Sequence, residues 1–455
     1  MHENCVPREE FEKVISEVAE LKARFKAQQL RIAELEARLM RYENPHTPPS
    51  MRTNNYPKRE PTGRPPGKRE GDPGFTRKLE HQMPDEVIRI KPDKCRRCRT
   101  NLGEPVSWER KLVLEIPEPQ PVKLLDFRKG ISYCPNCGAE NIGADPRCPT
   151  IGDYGPRTLA LANDLRFRYR MSVTMTSSFL YEQYNLQSSR ATIIDMTSRT
   201  AKMLKFECNS LVTSLRNSSV SYVDETGFYV NGKREWCWGF STPDTVMIAI
   251  RDSRGSGVAR AMMGDNYRGV VVSDCYSAYE LFAKHATRAK FQKCWAHLLR
   301  ESHACAQHCE EGKMLHSELG EIFKHMKSFI AGDPSSGDRE NEFRRMLDWV
   351  DRLKAEEYSE HRTRRLIKRI RKYRENWFVC VLIPGVEPTN NRAERALRPQ
   401  VILRRLRGSL RSDRGKEDHE IMTSLMSTWK LRGLNPVIQL EHELSQIFAE
   451  GDPTH

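Results

Sequence analysis

The sequence predicts an α/β core split by a helical insertion, with smaller modules ahead of it. Three observations carry that reading. First, Ser221-Tyr222-Val223-Asp224, Glu235–Phe240 and Thr245–Ile250 are β-rich runs, with Asn231-Gly232 as a hairpin signal between the first two. Second, Gly269-Val270-Val271-Val272-Ser273-Asp274 is a continuous apolar run suited to a strand buried on both faces. A helix over Ala278–His285 and a strand over Lys290–Cys294 follow it. Third, helical periodicity fills much of the chain after Leu298. Three antiparallel strands and then strand–helix–strand are the outline of an RNase H-like domain. There the first and fourth strands lie side by side, which brings Asp224 and Asp274 together across 274 − 224 = 50 positions.

At 455 residues the chain has room for two to four domains. A formal net charge of +14 favours a polyanionic partner. No run approaches the roughly 18 apolar residues of a spanning helix, so nucleic acid is expected before membrane. The N-terminus lacks the apolar stretch of a signal peptide, and the location expected is cytoplasmic and nucleoid-associated. Thirteen cysteines, two pairs of them in CxxC units, suggest a reducing compartment with a metal site.

Residues 1–44 read as a coiled-coil arm. Phe11, Val14, Val18, Leu21, Phe25, Ile32, Leu35, Leu39 and Tyr42 keep an a/d seam, with Gln28 as a polar core position. A homo-oligomer through this arm is expected; a helix packed on its own domain is the bland alternative. Residues 45–80 are a basic Pro/Gly-rich linker, in which Arg64, Lys68 and Arg69 are candidate DNA contacts.

Residues 81–150 are expected to form a small module held by Cys95, Cys98, Cys134 and Cys137 around a structural Zn²⁺. Trp108–Ile116 between the pairs is strand-like, and Cys148 is read as a bystander. Residues 151–218 read as helices, with Pro156 in a first turn and Ser188 or Ser189 capping the second half of a helix-turn-helix outline. That outline serves either DNA reading or scaffolding.

The core is expected in two parts, 219–299 and 386–455, around a helical insertion at 300–385. Asp224 and Asp274 close apolar strands, and Glu394 sits in a helix-prone segment rich in arginine. Three carboxylates are hard oxygen donors suited to a pair of Mg²⁺ (or Mn²⁺) ions beside a phosphodiester. Alternation along the strand points Glu225 to the other face. His297, in Cys294-Trp295-Ala296-His297, either supports the site or is a core histidine. Arg392, Arg395 and Arg398 could hold phosphates there. Arg362–Arg374 is the densest basic run; Arg364, Arg365, Lys368, Arg369, Arg371 and Lys372 are read as DNA contacts. Two further helices, broken at Gly433 and Pro436, are expected to pack on the core.

Four blocks carry a resemblance: Tyr222–Gly227, Ser273–Tyr279, Gln292–Glu301 and Asn390–Pro399. Together with the order of coiled coil, basic linker and four-cysteine module, they resemble the IS66-family insertion-sequence transposases over nearly the whole chain. Cys275, where glycine is common, and Gln400–Arg405 depart from the pattern. The resemblance implies a DDE transposase whose acids match Asp224, Asp274 and Glu394. It also implies double-stranded DNA partners (element ends and target), end nicking, joining of the freed 3′-OH to target, and the prospect of accessory proteins. An RNase H-like nuclease that cuts without joining is the nearest rival. A decayed or domesticated DNA-binding regulator is the rival from another class.

Overall fold

The computed structural model describes residues 83–450 and, nearer the N-terminus, 17–18, 20–22, 24–32 and 35. The chain divides into two compact units, Asn55–Val122 and a second made of Met1–Asn54 with Lys123–His455. The described residues within 17–35 are helical, and the seam positions Val18, Leu21, Phe25, Ile32 and Leu35 are exposed. The remaining seam residues Phe11, Val14, Leu39 and Tyr42, and the linker residues Arg64, Lys68 and Arg69, lie outside the described residues.

Within 83–122 the one described bridge joins Lys94 to Asn101 around the Cys95–Cys98 turn. The strand expected over Trp108–Ile116 is corrected: the segment makes no ladder, and Trp108, Val113, Leu114 and Ile116 are exposed. A β-prone run stays unpaired when no second strand offers it amides and carbonyls. In the larger unit, strands β1 (Ile131–Tyr133) and β2 (Glu140–Ile142) make a small antiparallel hairpin beside Cys134 and Cys137.

Four helices follow: α1 (Pro156–Asn163), α2 (Val173–Tyr184), α3 (Arg190–Met203) and α4 (Lys205–Asn217), with a π-helical turn at Asp164–Arg168 after α1. Pro156 starts α1, where its missing N–H costs nothing. Ser189 caps α3 by accepting from the Thr192 amide at 3.1 Å. Asn185 ends α2 in the left-handed region at φ 52°. Leu180, Ile193 and Met196 bury the inner faces of α2 and α3 against the main core.

The central sheet has the order β5–β4–β3–β6–β7: β3 (Val220–Val230), β4 (Lys233–Ser241), β5 (Val246–Arg251), β6 (Val270–Ser273) and β7 (Lys290–Lys293). The first and fourth strands of this set, β3 and β6, are parallel neighbours, with Tyr222 beside Val272. Helices α5 (Ser256–Met263) and α6 (Ser277–His285) make the crossovers around β6.

One expectation is corrected here. The first strand does not end at Asp224, and Gly227 is no turn. β3 runs on for six more residues, to Val230, and Gly227 pairs with Trp236 inside the ladder. The turn is Asn231-Gly232 alone, with φ 48° and 73° as a two-residue hairpin requires.

Five helices form the insertion: α7 (Trp295–Ala306), α8 (Glu310–Ala331), α9 (Ser336–Arg352), α10 (His361–Lys372) and the short α11 (Val379–Leu382), with 3-10 turns at Ala355–Glu357 and Glu375–Trp377. They share their own apolar cluster with one face of the sheet, where Val220, Tyr222, Val270 and Val272 meet Trp295, Trp377 and Phe378.

Helix α12 (Asn391–Arg407) returns across β3 and β4, and α13 (Asp413–Leu431) and α14 (Pro436–Glu450) close the chain. The edge strand β5 is sealed by α13. Ile250, Ile248 and Val246 donate their amides to the side chains of Glu420, Ser424 and Thr428 at 2.6, 2.9 and 3.0 Å. Acceptors one helical turn apart match amides two residues apart along a strand, so the edge offers no open template.

Candidate active site

Backbone pairing fixes the first two acids. β3 and β6 run in parallel with partners 220–270, 221–271 and 222–272, so the same offset carried forward sets Asp224 level with Asp274. Asp224 is half-buried and its Oδ1 accepts from the Glu225 amide at 3.0 Å. Asp274 is 4 % exposed, one residue past β6, and its Oδ1 accepts from the Tyr276 amide at 2.9 Å.

Asn390 brings in the third acid. Its side-chain amide, fully buried, donates to the Val223 carbonyl at 2.7 Å, next to Asp224, and its backbone N–H donates to Cys294 Sγ at 3.1 Å. The Trp295 amide donates to the Pro388 carbonyl at 3.0 Å. These bonds pin the start of α12 to both β3 and the start of α7, and Glu394 follows one turn into α12. Close approach at Gly239 completes the fit. A Cβ there would lie 2.8 Å from Leu397 Cγ, and Gly239 is the cross-strand partner of Asp224. Neither Asn390 nor Gly239 was singled out from the sequence; each is visible only once two distant elements meet.

Electrostatics register the convergence. Burial pushes the Asp224 carboxyl well above its usual range, and the charges of Glu225, Asp274 and Glu394 push it further. Burial and then Asp274 push Glu225 up to about 7, opposed by Arg254. Glu225 does lie on the other face, as alternation requires. There it accepts from Tyr279 Oη at 2.5 Å and from Arg254 Nε at 2.8 Å. Beneath Asp274, the buried Lys293 donates to its backbone carbonyl at 2.8 Å, and burial lowers the ammonium pKa.

Glu394 is drawn toward α7. Its Oε1 accepts from Arg300 Nη2 at 2.8 Å and lies 3.9 Å from His297 Nε2. Among the described residues no three His, Cys, Asp or Glu side chains, the CxxC cysteines included, stand close enough together to hold an ion. The donor set still suits a hard divalent cation in kind: three carboxylates, two of them fixed by the backbone, whose mutual repulsion a double positive charge relieves.

The expected basic contacts divide into two groups. Arg392 donates to Glu387 at 2.6 Å and lies over the Tyr222 ring at 5.6 Å, whereas Arg395 and Arg398 are exposed on α12. On α10, Arg369 pairs with Glu301 and Lys372 with Glu280 at 2.8 Å. Arg364 and Arg371 donate to the carbonyls of Tyr358 and Leu353. Arg365 and Lys368 remain exposed, one turn apart.

The two CxxC turns share one geometry. The amides of Cys95 and Cys134 donate to the carbonyls of Thr100 and Ala139, and Arg99 and Gly138, four residues after each first cysteine, take φ 65° and 73°. Hydrogen bonding from Thr100 lowers the Cys98 thiol to about 7, and amides led by that of Cys137 lower Cys134.

The profile described as Transposase IS66 family matches residues 152–418 of the chain. Two proteins of Sinorhizobium fredii are similar to it. The uncharacterized protein y4hP is 25% identical over 426 residues, 82% of this chain and 75% of its own. The uncharacterized protein y4qI is 22% identical over 304 residues, 60% of this chain and 56% of its own. No helix among the described residues is long and apolar enough to cross a membrane.

Proposed function

The chain belongs to the IS66 family of transposases, and from that premise we propose that it nicks the ends of its DNA element and joins them to target DNA. The observation that carries the proposal is the parallel register of β3 and β6, which sets Asp224 level with Asp274 just past β6, with the helix of Glu394 tethered to β3 through Asn390. The sheet order β5–β4–β3–β6–β7 supports an RNase H-like core for this chemistry.

In this reading Asp224, Asp274 and Glu394 hold Mg²⁺ or Mn²⁺. When bound, such ions polarise the attacked phosphodiester and stabilise the departing oxygen. The chain's own residues do the rest. Arg300 and His297 adjoin Glu394 and fix its side chain. Arg395 and Arg398, exposed on α12, offer guanidiniums to neighbouring phosphates. In the first step a water oxygen bonds to phosphorus and the bond to the 3′ oxygen breaks. In the second, that 3′ hydroxyl attacks a target phosphodiester and the target's own 3′ oxygen leaves. Arg365 and Lys368 on α10 extend the cationic surface for duplex DNA. The coiled-coil seam supports self-association, and two CxxC turns of like backbone geometry support Zn²⁺ binding.

The test is a strand-transfer assay on the element's inverted repeats, run with intact and pre-cut ends and Mg²⁺ or Mn²⁺. The full chain is expected to nick intact ends and join pre-cut ones, and Asp224→Asn to do neither while still binding DNA. Nicking without joining would favour a nuclease. Cellular activity that survives Asp224→Asn would favour a regulator.

A further inference from the structure

Next to Asp274, on the Glu225 face of the sheet, runs a ladder of rings and guanidiniums that the proposed chemistry does not use. It begins at Tyr276, whose amide donates to Asp274. Arg254 Cζ lies 3.9 Å from the centroid of the Tyr276 ring and 4.7 Å from that of Trp236. Arg234 Cζ lies 5.0 Å from the Trp236 ring in turn. Glu225 anchors the ladder from below by accepting from Arg254 Nη2 at 2.7 Å. Tyr276, Arg254 and Trp236 are half-buried, and Arg234 is exposed near the tip of the β3–β4 hairpin, opposite Tyr229. The ladder therefore leads from Asp274 outward along one hairpin.

We propose that this ladder binds an unpaired stretch of the DNA strand where it passes Asp274, with bases stacking on the ladder's rings and guanidinium planes and phosphates meeting Arg254 and Arg234. The inference rests on the reading of the adjoining acids as a DNA-cutting site. Rings serve unpaired bases because a duplex hides its base faces within its own stack. Arginine interleaved with aromatics supplies both stacking planes and charge for a single strand. The anchoring by Glu225 holds Arg254 in place before any strand arrives, so binding orders fewer side chains.

The full chain is titrated with fluorescently labelled oligo-dT and with a labelled duplex of equal length, without added divalent ion, and binding is read by anisotropy. Trp236→Ala and Tyr276→Ala are each expected to weaken oligo-dT binding by at least about fivefold, the lower end of base stacking on an aromatic. Duplex affinity should change by a smaller factor, and Trp236→Phe should keep most of the oligo-dT affinity. Arg234→Gln should reduce the salt dependence of oligo-dT binding by about 0.7 in log–log slope, the share of one phosphate contact on a single strand. Melting curves for each variant confirm folding; Trp236→Phe and Arg234→Gln keep the test decisive if an alanine variant unfolds. Unchanged oligo-dT affinity in the variants overturns the proposal, as does an equal loss for both DNAs. A wild-type chain that binds duplex but not oligo-dT overturns the ladder and leaves the transposase reading standing; one that binds neither DNA overturns both.

Discussion

Asn390 ties the helix that carries Glu394 to the strand that carries Asp224. Its buried amide joins α12 to the β3 carbonyl just before Asp224. Asn390→Ala leaves that carbonyl without its partner, and should lower the unfolding free energy by about 1–3 kcal/mol in a urea titration. The acids themselves act in the opposite direction. A carboxyl with a raised folded pKa binds more protons folded than unfolded, so its share of stability falls as pH rises from the unfolded value through the folded one. For Glu225 that window runs from 4.5 to about 7, and Asp224 is shifted in the same sense. Calorimetry without added divalent ion should therefore show the cluster lowering the melting temperature across that window. Asp224→Asn should raise it by roughly 2–4 °C at about pH 7.5, for each kcal/mol of relieved repulsion, with little gain below about pH 4.

Among the elements, α12 decides whether the site is assembled, and Gly239 decides where α12 lies. Gly239→Ala would press on Leu397 from 2.8 Å and lift the helix that carries Glu394. Displacement on the scale of an ångström costs on the order of 100-fold in rate, so end nicking should fall by about that factor, and Leu397→Ala in the same chain should restore part of it. Most elements were legible in the sequence because their cues are local. Valines over 270–272, the Asn231-Gly232 turn, the Ser189 cap and Pro156 each act within a few residues. The length of β3 was not legible. Gly227 looks like a breaker until β4 supplies its ladder partner and Arg404 of α12 donates to its carbonyl. Trp108–Ile116 failed in the opposite way, with strand propensity and no strand among the described residues to pair with. The candidate acids Asp224, Asp274 and Glu394 could be named beforehand because each follows from local residues: two close apolar β-prone runs and one lies in a helix-prone, arginine-rich segment. Asn390, Gly239 and Arg300 could not, since their roles exist only between elements far apart in sequence.

For the whole molecule, charge and metal content give the broad tests. The +14 excess predicts DNA affinity that falls steeply with salt, by a log–log slope of about −0.9 per phosphate contacted on duplex. If the CxxC turns hold Zn²⁺, elemental analysis of the purified chain finds it, and Cys98→Ser or Cys137→Ser lowers the content. The central claim is that three acids remote in sequence form one cation site. Mn²⁺ titration of the full chain, followed by electron paramagnetic resonance, tests it most directly. The account predicts that Asp224→Asn, Asp274→Asn and Glu394→Gln each remove Mn²⁺ bound by the wild-type chain; a Glu394→Gln variant that binds Mn²⁺ as the wild type does would contradict it.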